Sequence, residues 1–383
     1  MPPVDDKSRT APMVTLRDIA ECCRVAVGTV SFALRDDPRV RPETRERIQA
    51  IAQEMGYNAA VSEHARRLRL RGCGQQTRSD SIAVFCHDQI TRERYQTRIY
   101  EGILEEMSAQ PVSLVTVMFK RNQPFTLPRI FHRGDIDGII FSPGLRDFFA
   151  AARTWFDQHP MLHAIPTVKI IAGDPGDHLI SLDTQHAAYL ATQHLLQLGH
   201  RHVLYFYMND IHEQLSHRMD GVTAALCEHG LDPDAHLHVF QTPFAWIHPQ
   251  NAAALTATNG QLNVEGANAL VAFLEDHANV TGLIAINDAN AVHAWYTLRR
   301  CGKSIPQDYS LVGFDDTDPF PDEYGNNLLT TVSTPLEEVG KTAVRTLLHL
   351  VDHPNEAPAT VTVPVSRLCV RQSTSSPRHD TNL

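Results

Sequence analysis

Twenty-one histidines and seven cysteines are the side chains of this 383-residue sequence best equipped for chemistry, yet their spacing argues against most of it. His194, His200, His202, His212 and His217 follow one another at no repeated interval, with no cysteine or carboxylate at ligand spacing. Scattered or hydrogen-bonded histidines are therefore expected, and no metal centre. The cysteines form no CxxC pair and are odd in number, which fits reduced thiols better than a disulfide framework. Cys86, Cys227, Cys301 and Cys369 are expected to be small buried hydrophobes. Gly302-Lys303-Ser304 imitates the end of a phosphate loop, but Thr297 stands where such a loop needs glycine, so a helix end is expected there. GxGxxG, GxSxG and HExxH are absent. No catalytic residue and no cofactor is expected.

What remains is binding. Three apolar runs end in polar groups: SIAVFCHD at Asp88, GLIAIND at Asn287 and Asp288, and SLVGFDD at Asp315 and Asp316. Amides and carboxylates at strand ends are placed to hydrogen-bond a polar ligand with many hydroxyls, and Arg218 offers a forked donor to the same ligand. Equally, Asp288 and Asp315 can cap the helices that follow them.

The front of the chain carries a different chemistry. Residues 1–72 hold 13 Lys and Arg, 12 of them Arg, against 10 Asp and Glu, a net +3, whereas residues 73–383 are net −13. A basic head on an acidic body suits contact with a polyanion through the head alone, although a solvated basic face would look the same. Within it VAVGTVSFALR, residues 25–35, has helical spacing but carries Gly28 and a bare Phe32.

The elements that must hold these groups are legible. Residues 1–13 read as a disordered tail. Three short helices follow: TLRDIAECC with Thr15 as cap and Asp18 three residues on; the stretch with Val27, Val30 and Leu34 on one side; and one opening at Pro42 and stopping at Gly56. Leu16, Ile19, Val25, Val30, Leu34, Ile48 and Ile51 are expected to make their core. Residues 58–80 read as a linker. From residue 81, β-branched runs alternate with helices closed by glycine, ending in one last strand near VTVPVSRLCV, the pattern of doubly wound parallel sheets. About 300 residues of it exceed one sheet, so two α/β lobes are expected. With 43% apolar and 20% charged residues, no apolar run long enough to span a membrane, and a polar N-terminus, a cytoplasmic protein with no membrane partner is expected.

TLRDIAECCRVAVGTVSFALRDDPRVRPETRERIQAIAQEMGY, LATQHLLQLGHRHVLYF, HRMDGVTAALCEHGL, AINDANAVHAWYTLRRCGKSIPQDYSLVGFDD and LLTTVSTPLEEVGKTAVRTLL together resemble, in order and over residues 14–376, the lactose-repressor/galactose-repressor family of bacterial transcription regulators. The resemblance implies an all-α helix-turn-helix headpiece (14–57), a hinge (58–80) and a two-lobed, periplasmic-binding-protein-like α/β core (81–383). Its N-lobe would be about 81–181 and 335–361, and its C-lobe about 183–332 and 364–383. The lobes would be crossed near Ser181–Thr184, Thr331–Thr334 and residues 360–364.

The implied partners are double-stranded operator DNA, a small-molecule effector, expected to be a carbohydrate, and a second copy in a homodimer, with repression the more common outcome. Arg218, Asn287 and Asp315 would contact the effector, with Asp88 and Trp246 beside them, though Trp246 can equally be core. Thr15, Thr29, Ser31, Arg35, Tyr57 and Arg66 would meet DNA, with Val27, Gly28 and Phe32 facing bases. The sequence departs from the family pattern at Arg24, Ala26, Arg41, Phe32, Ala59 and Arg66, which replace the turn glycine, two polar caps, a base-reading arginine, the hinge proline and the minor-groove leucine. Two other classes compete with this reading: a transport sugar-binding protein, which would need a signal peptide and lack residues 14–57, and an α/β enzyme with a helical appendage.

Overall fold

The computed structural model describes residues 14–34, 37–55, 57, 78–87, 94–119, 127–142, 162, 165–208, 212–242, 264–317, 320–365 and 367–378. Contacts divide the chain into two units, Met1–Arg78 and Ser79–Leu383.

The first unit contains α1 (Leu16–Cys23), α2 (Val27–Ala33) and α3 (Pro42–Glu54). A reciprocal capping box starts α1: the Thr15 hydroxyl accepts from Asp18 N, and the Asp18 carboxylate accepts from Thr15 N at 2.7 Å. Arg24 ends the helix at φ 52, left-handed backbone that a glycine would adopt without strain. Ala26 and Arg41 supply no side-chain cap, while Pro42 at the first turn pre-sets α3. Ile19, Val30, Ala33 and Ile48 are fully buried, with Ala20, Cys23, Val40 and Ala52 beside them and Leu16, Val25, Leu34 and Ile51 packed around. Val27 does not share that core. It is 44% exposed, because it stands in the open first turn, before the stripe set by Val30 and Ala33. Gly56 and nearly all of the 58–80 linker lie outside the described residues.

The second unit holds two six-stranded sheets. In the first, β1 (Ser81–His87), β2 (Ser113–Phe119), β3 (Gly138–Phe141), β4 (Thr167–Ile170), β5 (His178–Leu182) and β11 (Thr360–Val363) lie in the order β11-β5-β4-β3-β1-β2, all parallel. The second contains β6 (Val203–Met208), β7 (Leu237–Thr242), β8 (Gly282–Ala285), β9 (Ser310–Asp315), β10 (Thr330–Ser333) and β12 (Arg367–Cys369). Their order is β12-β10-β9-β8-β6-β7, with only β12 antiparallel. β3, β8 and β9 are buried along their whole length, as strands covered on both faces must be.

Helices α4 (Arg94–Ser108), α5 (Arg129–His132) and α11 (Leu336–Asp352) accompany the first sheet. With the second go α6 (Thr184–Gln197), α7 (His212–Glu228), α8 (Pro233–His236), α9 (Val264–Asp276) and α10 (Asp288–Arg300). The buried stripe of α11, Leu336, Val339, Gly340, Ala343, Val344, Leu347 and Leu350, keeps helical period. Glycine lets two helix pairs touch: a β-carbon on Gly102 of α4 would collide with Glu337 O, and one on Gly221 of α7 with Gln185 O. The chain passes between sheets three times, at Asp183, at Thr334–Pro335 and between β11 and β12.

Two expectations fail here. VTVPVSRLCV is two strands in different sheets, broken at Pro364, rather than one. Cys86 is buried, but Cys227 and Cys301 are exposed and Cys369 is intermediate. The first two of these lie at the outer ends of α7 and α10, where a small hydrophobe has nothing to pack on.

Candidate nucleic-acid interface and ligand site

In the first unit, α2 turns one face to its companions and leaves another bare. Phe32 is 36% exposed, a β-carbon on Gly28 would meet nothing within 4 Å, and Thr29 and Ser31 are half-buried. The Arg39 guanidinium lies 4.1 Å above the Phe32 ring. Asp37 fixes it there through Nε at 2.9 Å and Nη2 at 2.6 Å. Those hydrogen bonds from Arg39 hold the Asp37 carboxyl down at about 2. A cation thus stands over the aromatic where a base-reading arginine was missed, brought there by a turn and not by the helix. Sequence spacing alone does not reveal it.

The hydroxyl of Thr15 is committed to Asp18, at 2.8 Å. Tyr57 packs against the three-helix core beyond α3. Arg35 and Arg66 lie outside the described residues.

In the second unit the carboxyl ends of β8, β9 and β10 converge on Arg218 of α7. Arg218 is 6% exposed. Its Nη1 donates to Ile286 O and reaches the Tyr205 hydroxyl at 3.5 Å, and its guanidinium lies 4.3 Å over the Phe314 ring. Its Nε is buried with no partner. Asp315 is buried at φ 93, followed by Asp316 at φ 53, and the Thr334 hydroxyl donates to its carboxylate at 3.3 Å. Two successive left-handed non-glycine residues cost on the order of 1–3 kcal/mol each, strain that proteins tend to keep at functional sites. Tyr95, opening α4, comes from the other sheet's side. Burial, then the nearby Asp315 charge, raises its phenol's pKa, while Arg218 opposes the rise. Ser142, which follows β3, is buried with its Oγ unpaired.

The structure thus brings Arg218 and Asp315 together and gives the side-chain oxygen of Asn287 a capping role. Asn287 Oδ1 caps α10, accepting from Asn290 N at 2.9 Å. Asp288 is buried and locks the strands, accepting from Thr317 N at 2.9 Å and the Thr331 hydroxyl at 2.5 Å. Hence Asn287, not Asp288, is the cap. Asp88 and Trp246 lie outside the described residues. Tyr95, Ser142, Tyr205 and Phe314 were missed by sequence reading. Phe314, next to Asp315 in VGFDD, had the only local signal.

A helix-turn-helix unit followed by a two-lobed α/β core is the architecture of a DNA-binding transcription regulator. Comparison with known proteins agrees. Residues 15–59 match the bacterial regulatory proteins of the lacI family, and residues 192–374 match the periplasmic binding protein-like domain. The ribose operon repressor of Haemophilus influenzae is 25% identical over 351 residues, covering 90% of this chain and 94% of its own. The HTH-type transcriptional regulator DegA of Bacillus subtilis is 26% identical, covering 94% and 98%. A LacI family regulator from Enterococcus faecium with bound ribose superposes with a TM-score of 0.58 at 26% identity, over 77% of this chain and 99% of that one. The lac repressor dimer bound to operator and the anti-inducer ONPF shares the fold, with a TM-score of 0.62 at 21% identity over 95% and 99%. The chain thus joins a lacI-family headpiece to a periplasmic-binding-protein-like domain, and its relatives are lacI-family regulators.

Proposed function

We propose that the chain is a repressor that binds operator DNA as a homodimer and changes its grip when a small carbohydrate enters between the lobes of the core. The observation that carries the ligand half is the setting of Arg218: a buried guanidinium, stacked on Phe314, beside Asp315, with Nε unpaired. A buried cation with an open donor next to a strained carboxylate suits a polyhydroxyl ligand, which gives and accepts hydrogen bonds at once. Bound ribose in the Enterococcus faecium relative supports this class of ligand.

In this reading residues 14–57 are the headpiece and 58–80 the hinge. Residues 81–181 with 335–361 form one lobe, and 183–332 with 364–383 the other. Arg218, Asp315 and Asn287 line the ligand site together with Asp88 and Trp246. Thr15, Val27, Gly28, Thr29, Ser31, Phe32, Arg35, Tyr57 and Arg66 form the DNA face. Work on DNA fits a cytoplasmic protein. The lacI-family headpiece match disfavours a transport protein.

Calorimetry with D-ribose and a panel of pentoses and hexoses tests the ligand half. One sugar is expected to bind and to change operator affinity, read by fluorescence anisotropy, by at least about 5-fold. Arg218→Ala is expected to weaken that sugar at least about 10-fold. An unchanged affinity in the variant removes Arg218 from the site.

A further inference from the structure

Arg39 stands in the turn between α2 and α3, outside the helix whose face was expected to read DNA. The turn is tied to that helix and to the core. Asp37 N donates to Phe32 O at 3.0 Å, Val40 N donates to Asp37 O at 3.1 Å, and Val40 is buried. Asp37 Oδ1 also accepts from Arg39 N at 3.0 Å, so the carboxylate that grips the guanidinium shapes the backbone that presents it.

A guanidinium has five N–H donors in a planar fork. Asp37 takes two of them, on Nε and on Nη2. Among the described residues the other three, two on Nη1 and one on Nη2, meet no acceptor, and the side chain is 69% exposed. The free edge is therefore the outer one, with one donor from Nη1 beside one from Nη2. Phe32 lies under the flat of the fork. The ring fixes the plane of the guanidinium and the carboxylate fixes its rotation within that plane, so the free donors are in place before anything binds. One helical turn before Phe32, Gly28 leaves bare backbone on the same face, with nothing within 4 Å of where its β-carbon would stand.

We infer that Arg39 reads a guanine in the major groove, donating from Nη1 and Nη2 to O6 and N7, with Asp37 and Phe32 as its positioning residues. The inference rests on DNA binding through the headpiece and adds to it a residue that helical spacing does not point to. Two adjacent donors match the two acceptors on the major-groove edge of guanine, a pair that no other base presents there. A phosphate suits the arrangement less. The Asp37 carboxyl, held down at about 2, stays ionised and offsets the charge of Arg39. Such a pair releases few counterions but keeps its directional hydrogen bonds.

The test selects binding sites for the full wild-type chain from a pool of randomised duplexes and then measures anisotropy on the selected duplex. One guanine is expected to lose at least about 5-fold in affinity when replaced by 7-deazaguanine, which pairs normally but lacks N7. Arg39→Ala is expected to bind the parent duplex more weakly and to be indifferent to that replacement. Arg39→Lys keeps a cation without the fork, and is expected to be equally indifferent. Asp37→Ala is expected to lose the discrimination while steepening the salt dependence, because it frees a cation for phosphate. Circular dichroism checks that the variants are folded, and Arg39→Lys serves if Arg39→Ala is not. A selected site whose response to 7-deazaguanine is the same in the folded Arg39 variants and the wild type overturns this inference alone. So does a uniform loss across all sequences with the salt slope lowered by about 1, the mark of a phosphate contact. A wild-type chain that selects no sequence overturns the regulator reading as well.

Discussion

In the proposed function, Phe32 with Arg39 above it sets how the headpiece reads a base. Phenylalanine offers no donor to guanine but packs on a thymine methyl, and with Arg39 stacked 4.1 Å above it the pair presents an apolar edge beside a cation. Phe32→Arg is expected to move base preference at the facing step toward G·C by about 1–3 kcal/mol, measured by anisotropy on duplexes varied at single positions. An unchanged preference shows that Phe32 faces no base. Arg218 carries the matching prediction in the core. Besides weakening the ligand, Arg218→Ala strands Ile286 O and the Tyr205 hydroxyl, so a stability loss of about 1–3 kcal/mol is expected in urea titration. Both residues were legible as candidates, because a helix with one bare aromatic and a conspicuous arginine stand out locally. Arg39, Tyr95 and Ser142 were not, because their roles arise only where separate segments meet.

At the scale of elements, close helix contacts and a buried imidazole set the stability of the core. Alanine exceeds glycine in helix propensity by about 1 kcal/mol, yet Gly221 sits where a β-carbon meets the Gln185 carbonyl. Overpacking of that kind costs about 1–3 kcal/mol, so Gly221→Ala is expected to destabilise; a stabilised variant would show that α6 and α7 do not pack this closely. His200 is buried between Thr281, Ser310 and the Ser375 carbonyl, and burial lowers its pKa, as it does for His194 and His293. The unfolded chain then takes up protons first. Stability from these groups is fully present above the unfolded value near pH 6.5 and is lost as pH falls through the lower folded values. The urea midpoint is expected to drop between pH 7.5 and 5.5, and less in His200→Asn; identical drops in both proteins would remove His200 from that balance.

Most helices and the long apolar strands were legible in the chain's periodicity. The strands β5, β7 and β10 were not, since HLISL, LHVFQT and TTVS are short and mix polar with apolar residues. In β10 the hydroxyls are buried because each has a partner, Thr331 on Asp288 at 2.5 Å and Thr330 on Thr374 at 3.1 Å, which no local pattern announces.

For the whole molecule, charge divides the labour. A headpiece region of net +3 and a remainder of net −13 confine attraction for DNA to the front of the chain, so binding is expected to weaken steeply with salt. In the proposed function the two-sheet core, with its three passages of the chain, reports a ligand by a change in lobe angle. The family resemblance was legible because long motifs recur in order; the identity of the ligand was not, since no local pattern announces which side chains converge on it. The most direct measurement is anisotropy on duplex DNA from upstream of the protein's own gene, as a function of salt, for the full chain and for a chain lacking residues 1–57. Loss of specific binding and of the salt slope in the shortened chain is expected. Unchanged affinity and slope after that deletion would contradict the assignment of DNA recognition to the headpiece.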